Sequence, residues 1–167
     1  MSRIETAILV VSDRAATGER ADETAEALRP VLEAAGFRVQ AVQVVPDDRE
    51  QLAKALVEQA TWYPLVLTTG GTGIAPRDVT PEATRDVLDF EIPGLAEEMR
   101  RQSVYRTIHA VGSQAVAGVR GRAVIVNLPG RPKGALECFG FIAKALPHLV
   151  ALRRGPVSDE THGHQDT

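Results

Sequence analysis

The sequence predicts one α/β domain: a three-layer, open and mostly parallel sheet with helices on both faces. Three observations carry that prediction. The apolar runs at residues 8–11, 65–67 and 123–126 lack the alternation of a strand with one wet face, so they read as strands buried on both sides. Segments with helical spacing alternate with those runs, the pattern of a parallel sheet covered by helices. The length of 167 residues and the 44% hydrophobic content fit one ordinary domain with a full core. Aromatic residues are only 4%, so that core is built from Val, Leu, Ile and Ala.

The elements follow in order. Residues 4–11 form the first strand; the run is too short for a membrane span and lacks the layout of a signal peptide. Ser12-Asp13-Arg14 sits at its C-terminal end, and a polar loop continues to Gly18. Residues 22–35 form a helix with Ala25, Leu28, Leu32 and Ala35 on one face, and Gly36 ends it. A second strand at 37–45 stops at Pro46-Asp47-Asp48. A second helix at 49–61 carries Leu52, Leu56 and Ala60 on one side. The third strand, 65–67, feeds Thr68-Thr69-Gly70-Gly71-Thr72-Gly73. A helix over 80–88 follows, with Thr80 as N-cap and Pro81 at the first helical position. After a Pro93-Gly94 break another helix covers 95–104. The fourth strand is 123–127, its exit loop is Leu128-Pro129-Gly130-Arg131-Pro132-Lys133-Gly134, and one last helix spans 135–152. The domain is residues 1–155. Residues 156–167 are polar and aperiodic and read as a flexible tail. There is no internal repeat and no interdomain linker.

Composition narrows the function. A net charge of -3 forces no basic face, so neither nucleic acid nor a membrane is an expected partner. The single cysteine, Cys138, makes no internal disulfide and has no metal-ligand spacing; it reads as a small buried apolar residue of a protein in a reducing, cytoplasmic compartment. Familiar nucleotide and hydrolase motifs are missing. There is no Gly-x-x-x-x-Gly-Lys-Ser/Thr and no Gly-x-Ser-x-Gly, and the glycine cluster follows the third strand rather than the first, which argues against a nicotinamide enzyme. His109 and His148 read as packing or solvent-facing residues, and His162 and His164 lie in the tail.

Chemistry concentrates at one end of the predicted sheet. Ligands of open α/β sheets bind outside the carboxyl ends of the strands. That rule gathers Ser12-Asp13, Pro46-Asp47-Asp48, the glycine turn with Asp78, and the Asn127 to Lys133 loop. Three glycines in four residues let backbone approach a ligand, and the N–H groups and threonine hydroxyls there can hold phosphate oxygens; the plain alternative is a strand–turn–helix connector. Asp47 and Asp78 suit magnesium, which binds through one or two carboxylates plus substrate phosphates. The alternatives are helix capping for Asp47-Asp48 and a turn role for Asp78. Arg77 is a phosphate ligand or a surface charge.

These residues resemble the molybdopterin adenylyltransferase family of molybdenum-cofactor biosynthesis. The likeness runs from about residue 4 to residue 155. It rests on Val11-Ser12-Asp13-Arg14, Val45-Pro46-Asp47-Asp48, the run from Thr69 to Ala83, Ile92-Pro93-Gly94-Leu95 with Met99-Arg100, and Asn127-Leu128-Pro129-Gly130-Arg131-Pro132-Lys133. The resemblance implies transfer of AMP from Mg-ATP to the terminal phosphate of molybdopterin, with release of pyrophosphate. It implies a homotrimer and transient contact with a protein that inserts molybdate. It places the two essential aspartates at Asp47 and Asp78, which would also hold Mg²⁺. Substrate contacts fall on Ser12, Asp13, Thr69, Gly70, Gly71, Thr72 and Gly73, and on the pterin side on Ser103, Ser113, Pro129, Gly130 and Pro132. Arg77 and Lys133 are candidate extra cations. Where the family often has Ser-Arg, this chain has Ser113-Gln114.

Two other readings compete. A binding or scaffold paralogue would keep the pterin pocket without catalysis, and such a protein has no need of the Asp47 and Asp78 pair. A nucleotide-pyrophosphatase-like domain of the competence-damage type would follow its first strand with a Gly-Asp-Glu segment, where this chain has Ser12-Asp13-Arg14.

Overall fold

The structure, a computed structural model, describes residues 2–155. The proposed tail lies outside the described residues. Six strands form one sheet: β1 (Ile4–Val11), β2 (Phe37–Val45), β3 (Leu65–Thr69), β4 (Phe90–Glu91), β5 (Ala117–Arg120) and β6 (Ala123–Leu128), in the order β2-β1-β3-β6-β5-β4. The first four in that order are mutually parallel, and β5 and β4 add antiparallel pairs at one edge. The expected three-layer, mostly parallel architecture is therefore what the chain adopts.

Among the described residues seven α-helices join them: α1 (Asp13–Ala16), α2 (Thr24–Ala34), α3 (Arg49–Trp62), α4 (Thr80–Val87), α5 (Pro93–Ser103), α6 (Pro132–Ile142) and α7 (Leu146–Arg154). Alternate residues of the central strands feed two separate cores. Ile8, Val10, Leu65, Leu67, Val124 and Val126 pack with α2, α5, α6 and α7. Leu9, Val11, Val66 and Ile125 pack with α3 and α4 on the other face. Burial on both faces is why these strands carry unbroken apolar runs.

Several boundaries differ from the sequence expectation, each for a local reason. The expected single last helix over 135–152 is two helices bent by 68°. Pro147, in the first turn of α7, lacks an N–H and would clash with the carbonyl four residues back, so a continuous helix cannot pass it. Pro132 starts α6 and Pro93 starts α5, so both prolines open helices where loops were expected. The polar loop after Ser12 holds the one-turn helix α1, capped by the Ser12 hydroxyl, which accepts from the Ala15 N–H at 3.2 Å. The helix expected from residue 22 begins at Thr24, with the Asp22 carboxylate accepting from the N–H groups of Thr24 and Ala25. Strands β4 and β5 have two and four residues, too few for a periodic signal. Among the described residues no single helix is long and apolar enough to cross a membrane.

Candidate active site

The chain leaves β1 for β2 on one side and then returns to β3 on the other, so the strand order reverses between β1 and β3. The carboxyl ends of strands flanking such a switch splay their exit loops apart and leave a crevice. A cleft of ≈ 830 Å³ lies there, lined by Val11 and Ser12 from the end of β1 and by Thr69 to Gly73 from the end of β3.

The glycine turn is shaped by backbone contact. Gly70 and Gly71 have φ of 95° and 67°, a region that side chains disfavour. A Cβ on Gly70 would stand 2.5 Å from the Val11 carbonyl oxygen, and one on Gly130 would stand 3.1 Å from the Gly70 Cα. The exit loops of β3 and β6 therefore touch glycine to glycine. A Cβ on Gly71 would strike the Thr80 hydroxyl, and one on Gly73 would lie 2.7 Å from Asp78 Oδ2. Thr80 is not the N-cap expected of it. Val79 holds that position, while the Thr80 hydroxyl donates to the Gly70 carbonyl at 2.9 Å and its N–H to the Gly71 carbonyl at 3.2 Å. The start of α4 thus braces the turn.

The two neighbouring aspartates, Asp47 and Asp48, separate cleanly. Asp48 caps α3, its Oδ1 accepting from the Gln51 N–H at 2.8 Å. Asp47 instead faces Asp13: the Asp13 N–H donates to Asp47 Oδ2 at 3.0 Å, and the Asp47 N–H donates to Asp13 Oδ1 at 2.9 Å. The other Asp13 oxygen is held by Arg77, whose Nε donates to Oδ2 at 2.6 Å, with a second guanidinium contact. The Asp47 N–H first, and the Arg77 hydrogen bond and charge after it, hold the Asp13 carboxyl below its ordinary range against the opposing effect of burial. Burial raises Asp47, and the negative charges of Asp13 and Asp78 add to that, opposed by the Asp13 N–H and by Arg77. Asp78 closes the turn at 75–78, accepting from the Ala75 N–H at 3.0 Å, and also lines the cleft. Turn residue and site residue are here the same side chain.

A second cleft of ≈ 600 Å³ adjoins the first and shares Thr72, Gly73, Gly130, Arg131 and Lys133 with it. Its walls come from α5, the 3₁₀ turn Ile108–Gly112, residues 113–115 and α6. They are mostly apolar, with Met99, Ala96, Ala115 and Cys138 among them. Ser103, Ser113 and Pro129 lie in this cleft, whereas Ser12, Thr69, Gly70, Gly71 and Pro132 lie in the first. Asp13 and Asp47 line neither. The Ser103 hydroxyl sits 3.4 Å from Cys138 Sγ, and burial pushes that thiol up. The Ser113 hydroxyl accepts from the Ala115 N–H at 3.3 Å, so it shapes its own loop.

Asn127, at the end of β6, is fully buried and structural. It accepts from the Val116 N–H and donates to the hydroxyls of Thr68 and Thr84, tying β6 to β3 and α4. Thr24 and Arg106 had no signal in the sequence, whereas Arg100 belonged to the resemblance and Lys133 was a candidate cation. The Thr24 hydroxyl donates to the Gly130 carbonyl at 2.7 Å and fixes that loop. Arg100 donates to the Ala115 carbonyl at 2.7 Å, pinning the loop where the resemblance left a departure at Gln114. Arg106 and the exposed His109 line the apolar cleft. Arg131 and Lys133 stand on the shared rim with no ion pair among the described residues.

The residues fit a magnesium ion. Asp47 and Asp78 act on one another electrostatically, and the Asp47 Oδ1 atom accepts no hydrogen bond among the described residues. Those residues hold no cluster of three or more His, Cys, Asp or Glu suited to a metal. Magnesium takes one or two carboxylates and completes its shell with waters and substrate phosphates.

Comparison with known proteins places this geometry. The family described as a probable molybdopterin binding domain matches residues 7–148. The chain is similar to the molybdopterin adenylyltransferase of Helicobacter pylori strain J99, at 38% identity over 93% of this chain and 90% of that protein. It is similar to the molybdopterin adenylyltransferase of Escherichia coli K12, at 36% identity over 93% and 88%. Among solved structures, the molybdopterin biosynthesis enzyme MoaB of Thermus thermophilus superposes with a TM-score of 0.85 at 49% identity, covering 90% of this chain and 96% of that one.

Proposed function

We infer the reaction from one premise: the chain belongs to the family of probable molybdopterin-binding domains. It is a molybdopterin adenylyltransferase, a nucleotidyltransferase of molybdenum-cofactor biosynthesis. The observation that carries the geometric part is the pair of adjoining clefts with a common rim of backbone N–H groups and cations. Transfer between two phosphate-bearing substrates needs such a junction, because both must bring their phosphates to one point.

In this reading ATP lies in the cleft at the β1/β3 switch, and molybdopterin places its ring system in the apolar cleft and its phosphate at the rim. An oxygen of the molybdopterin phosphate attacks the α-phosphorus of ATP. The bond between that phosphorus and the α,β-bridging oxygen breaks, and pyrophosphate leaves with the electron pair. The nucleophile is already an anion, so no strong general base is required. The protein's task is positioning and charge neutralisation. Gly71 to Gly73 present backbone N–H groups to phosphate oxygens at no side-chain entropy cost, while the Gly70 N–H donates to the Leu128 carbonyl and fixes the turn, and Arg131 and Lys133 offset the charge of two converging anions. Asp47 and Asp78 would hold Mg²⁺, which when bound neutralises the triphosphate and orients it for in-line displacement.

A homotrimer belongs to the same reading. Its support is the group of bare apolar side chains near the mouth of the apolar cleft: Ile74, Tyr105, Ile108 and Val111 are 65–81% exposed. Sedimentation tests that part. Residues 1–155 as the catalytic unit, a cytoplasmic location consistent with one free buried cysteine, and transient delivery of product to a molybdate-inserting protein complete the proposal. The binding-only alternative is not favoured, since it gives no role to the Asp47 Oδ1 atom left over by the hydrogen bonds of the turn and to the Asp78 carboxylate in the cleft. The test is incubation of pure protein with molybdopterin, ATP and magnesium. Adenylylated pterin and an equal amount of pyrophosphate are expected by mass detection. Bound pterin with unconsumed ATP would reject the reaction.

A further inference from the structure

We propose that Asp13 is a positioning residue for Asp47 and touches neither substrate. The proposal rests on the reading of Asp47 as a magnesium ligand and adds a cause for its orientation.

The backbone brings the pair together. Val11 and Val45 are register partners on the parallel strands β1 and β2, and Asp13 and Asp47 each stand two residues beyond. The ladder continues one step past the strands, with the Ser12 N–H donating to the Val45 carbonyl at 2.9 Å. Beyond that point the side chains replace the backbone: each aspartate's carboxylate takes the other's N–H, at 2.9 and 3.0 Å. Two carboxylates repel, so neighbours in a merely polar loop would turn apart. Here the reciprocal bonds and the Arg77 guanidinium hold them in place. Both Asp13 oxygens are thereby occupied, one by the Asp47 N–H and one by Arg77. Asp47 is held by one oxygen only. Its Oδ1 is left over and lies 3.4 Å from the point where a Cβ on Gly71 would be, facing the glycine turn. The clasp therefore fixes χ angles that would otherwise be free, and aims one carboxylate oxygen at the phosphate-binding turn.

This assigns Arg77 as well. It completes the clasp and acts on Asp47 through Asp13, rather than serving as a phosphate ligand. Groups that orient a metal ligand commonly cost 10- to 100-fold in metal affinity or activity when removed.

The test compares Asp13→Ala, Asp13→Asn and Asp47→Ala with the wild type. Affinity for Mn²⁺ as the magnesium stand-in is read by electron paramagnetic resonance with the α,β-methylene analogue of ATP, and kcat and KM are read separately. Thermal melts confirm that each variant folds. Asp13→Ala should weaken Mn²⁺ binding about 10- to 100-fold and lower kcat in step. The KM for molybdopterin should stay within about threefold. Asp13→Asn keeps an oxygen acceptor for the Asp47 N–H and should recover part of the lost Mn²⁺ affinity; it serves as the folded variant if Asp13→Ala does not fold. Wild-type Mn²⁺ affinity in Asp13→Ala together with weakened binding in Asp47→Ala would overturn the positioning role and leave the magnesium reading standing. Wild-type affinity in both would overturn the magnesium reading itself. A raised KM with unchanged Mn²⁺ affinity in Asp13→Ala would overturn the proposal by making Asp13 a substrate contact.

Discussion

The two clefts share a rim and differ in how they are built. The one at the β1/β3 switch is made of strand exits, where backbone does the work: two left-handed glycines, a braced turn, and carboxylates fixed by N–H groups. The one beside it is made of side chains from α5, α6 and an irregular segment, and its walls are mainly apolar. A nucleotide triphosphate is the same for every partner and is held through charge and backbone. A pterin is recognised by shape, which is the task of packed side chains. The difference teaches that substitutions in the first cleft should act on chemistry, and those in the second on the affinity of one substrate.

The largest expected effect is that of Asp78→Asn. The amide keeps an acceptor for the Ala75 N–H, so the turn and the melting temperature should hold. Turnover should fall on the order of 10²- to 10³-fold, with molybdopterin affinity unchanged, because the proposed hold on the charge-neutralising Mg²⁺ is weakened. Steady-state kinetics beside pterin titration checks this; weakened pterin binding with intact kcat would invert the division of the clefts. Gly71→Val comes next. Its Cβ meets the Thr80 hydroxyl at a φ of 67°, so ATP binding should be lost and stability should drop by about 1–3 kcal/mol as well. Calorimetry and a thermal melt read the two losses; retention of both would show that the turn adapts and needs no glycine there.

Smaller effects sharpen the contrast. Ser103→Leu fills the apolar cleft beside Cys138 and should raise the KM for molybdopterin about tenfold, equal to about 1.4 kcal/mol, with the KM for ATP unchanged. A shift in the ATP constant alone would exchange the occupants. Asp48→Ala should be nearly silent in turnover. Removing the cap of α3 costs about 1 kcal/mol, a fall of about 2–4 °C in melting temperature for a chain of this size. Asp47, its neighbour in the chain, should behave oppositely, losing turnover with little stability.

Legibility followed the same division. The parallel strands and the glycine turn were readable because burial on both faces writes unbroken apolar runs, and a left-handed turn demands glycine at Gly70 and Gly71. The gathering of Ser12-Asp13, Asp47, the glycine turn and Gly130 followed from topology alone. Capping could be foreseen for the Asp47-Asp48 pair but not divided between its members, because both residue types cap and only the packing of β1 against β2 turns Asp47 toward Asp13. Thr80 carried the pattern of an N-cap and was drawn instead to the Gly70 carbonyl. The walls of the apolar cleft were least legible. Arg106, His109 and Ala110 are ordinary helix and loop residues in the chain and become neighbours only when α5, α6 and the 3₁₀ turn close on one another. The short antiparallel pair β4 and β5, which supports that side, has too few residues to show a period.

The central claim, that the two substrates divide between the two clefts and meet at their rim, is tested most directly by a crystal structure with molybdopterin and the α,β-methylene analogue of ATP. The account predicts the triphosphate against Gly70 to Gly73 with its metal-binding side toward Asp47 and Asp78, the pterin between Met99 and Cys138, and the α-phosphorus facing the molybdopterin phosphate at Gly130, Arg131 and Lys133. Adenine seated between Met99 and Cys138, with the pterin at the β1/β3 switch, would contradict it.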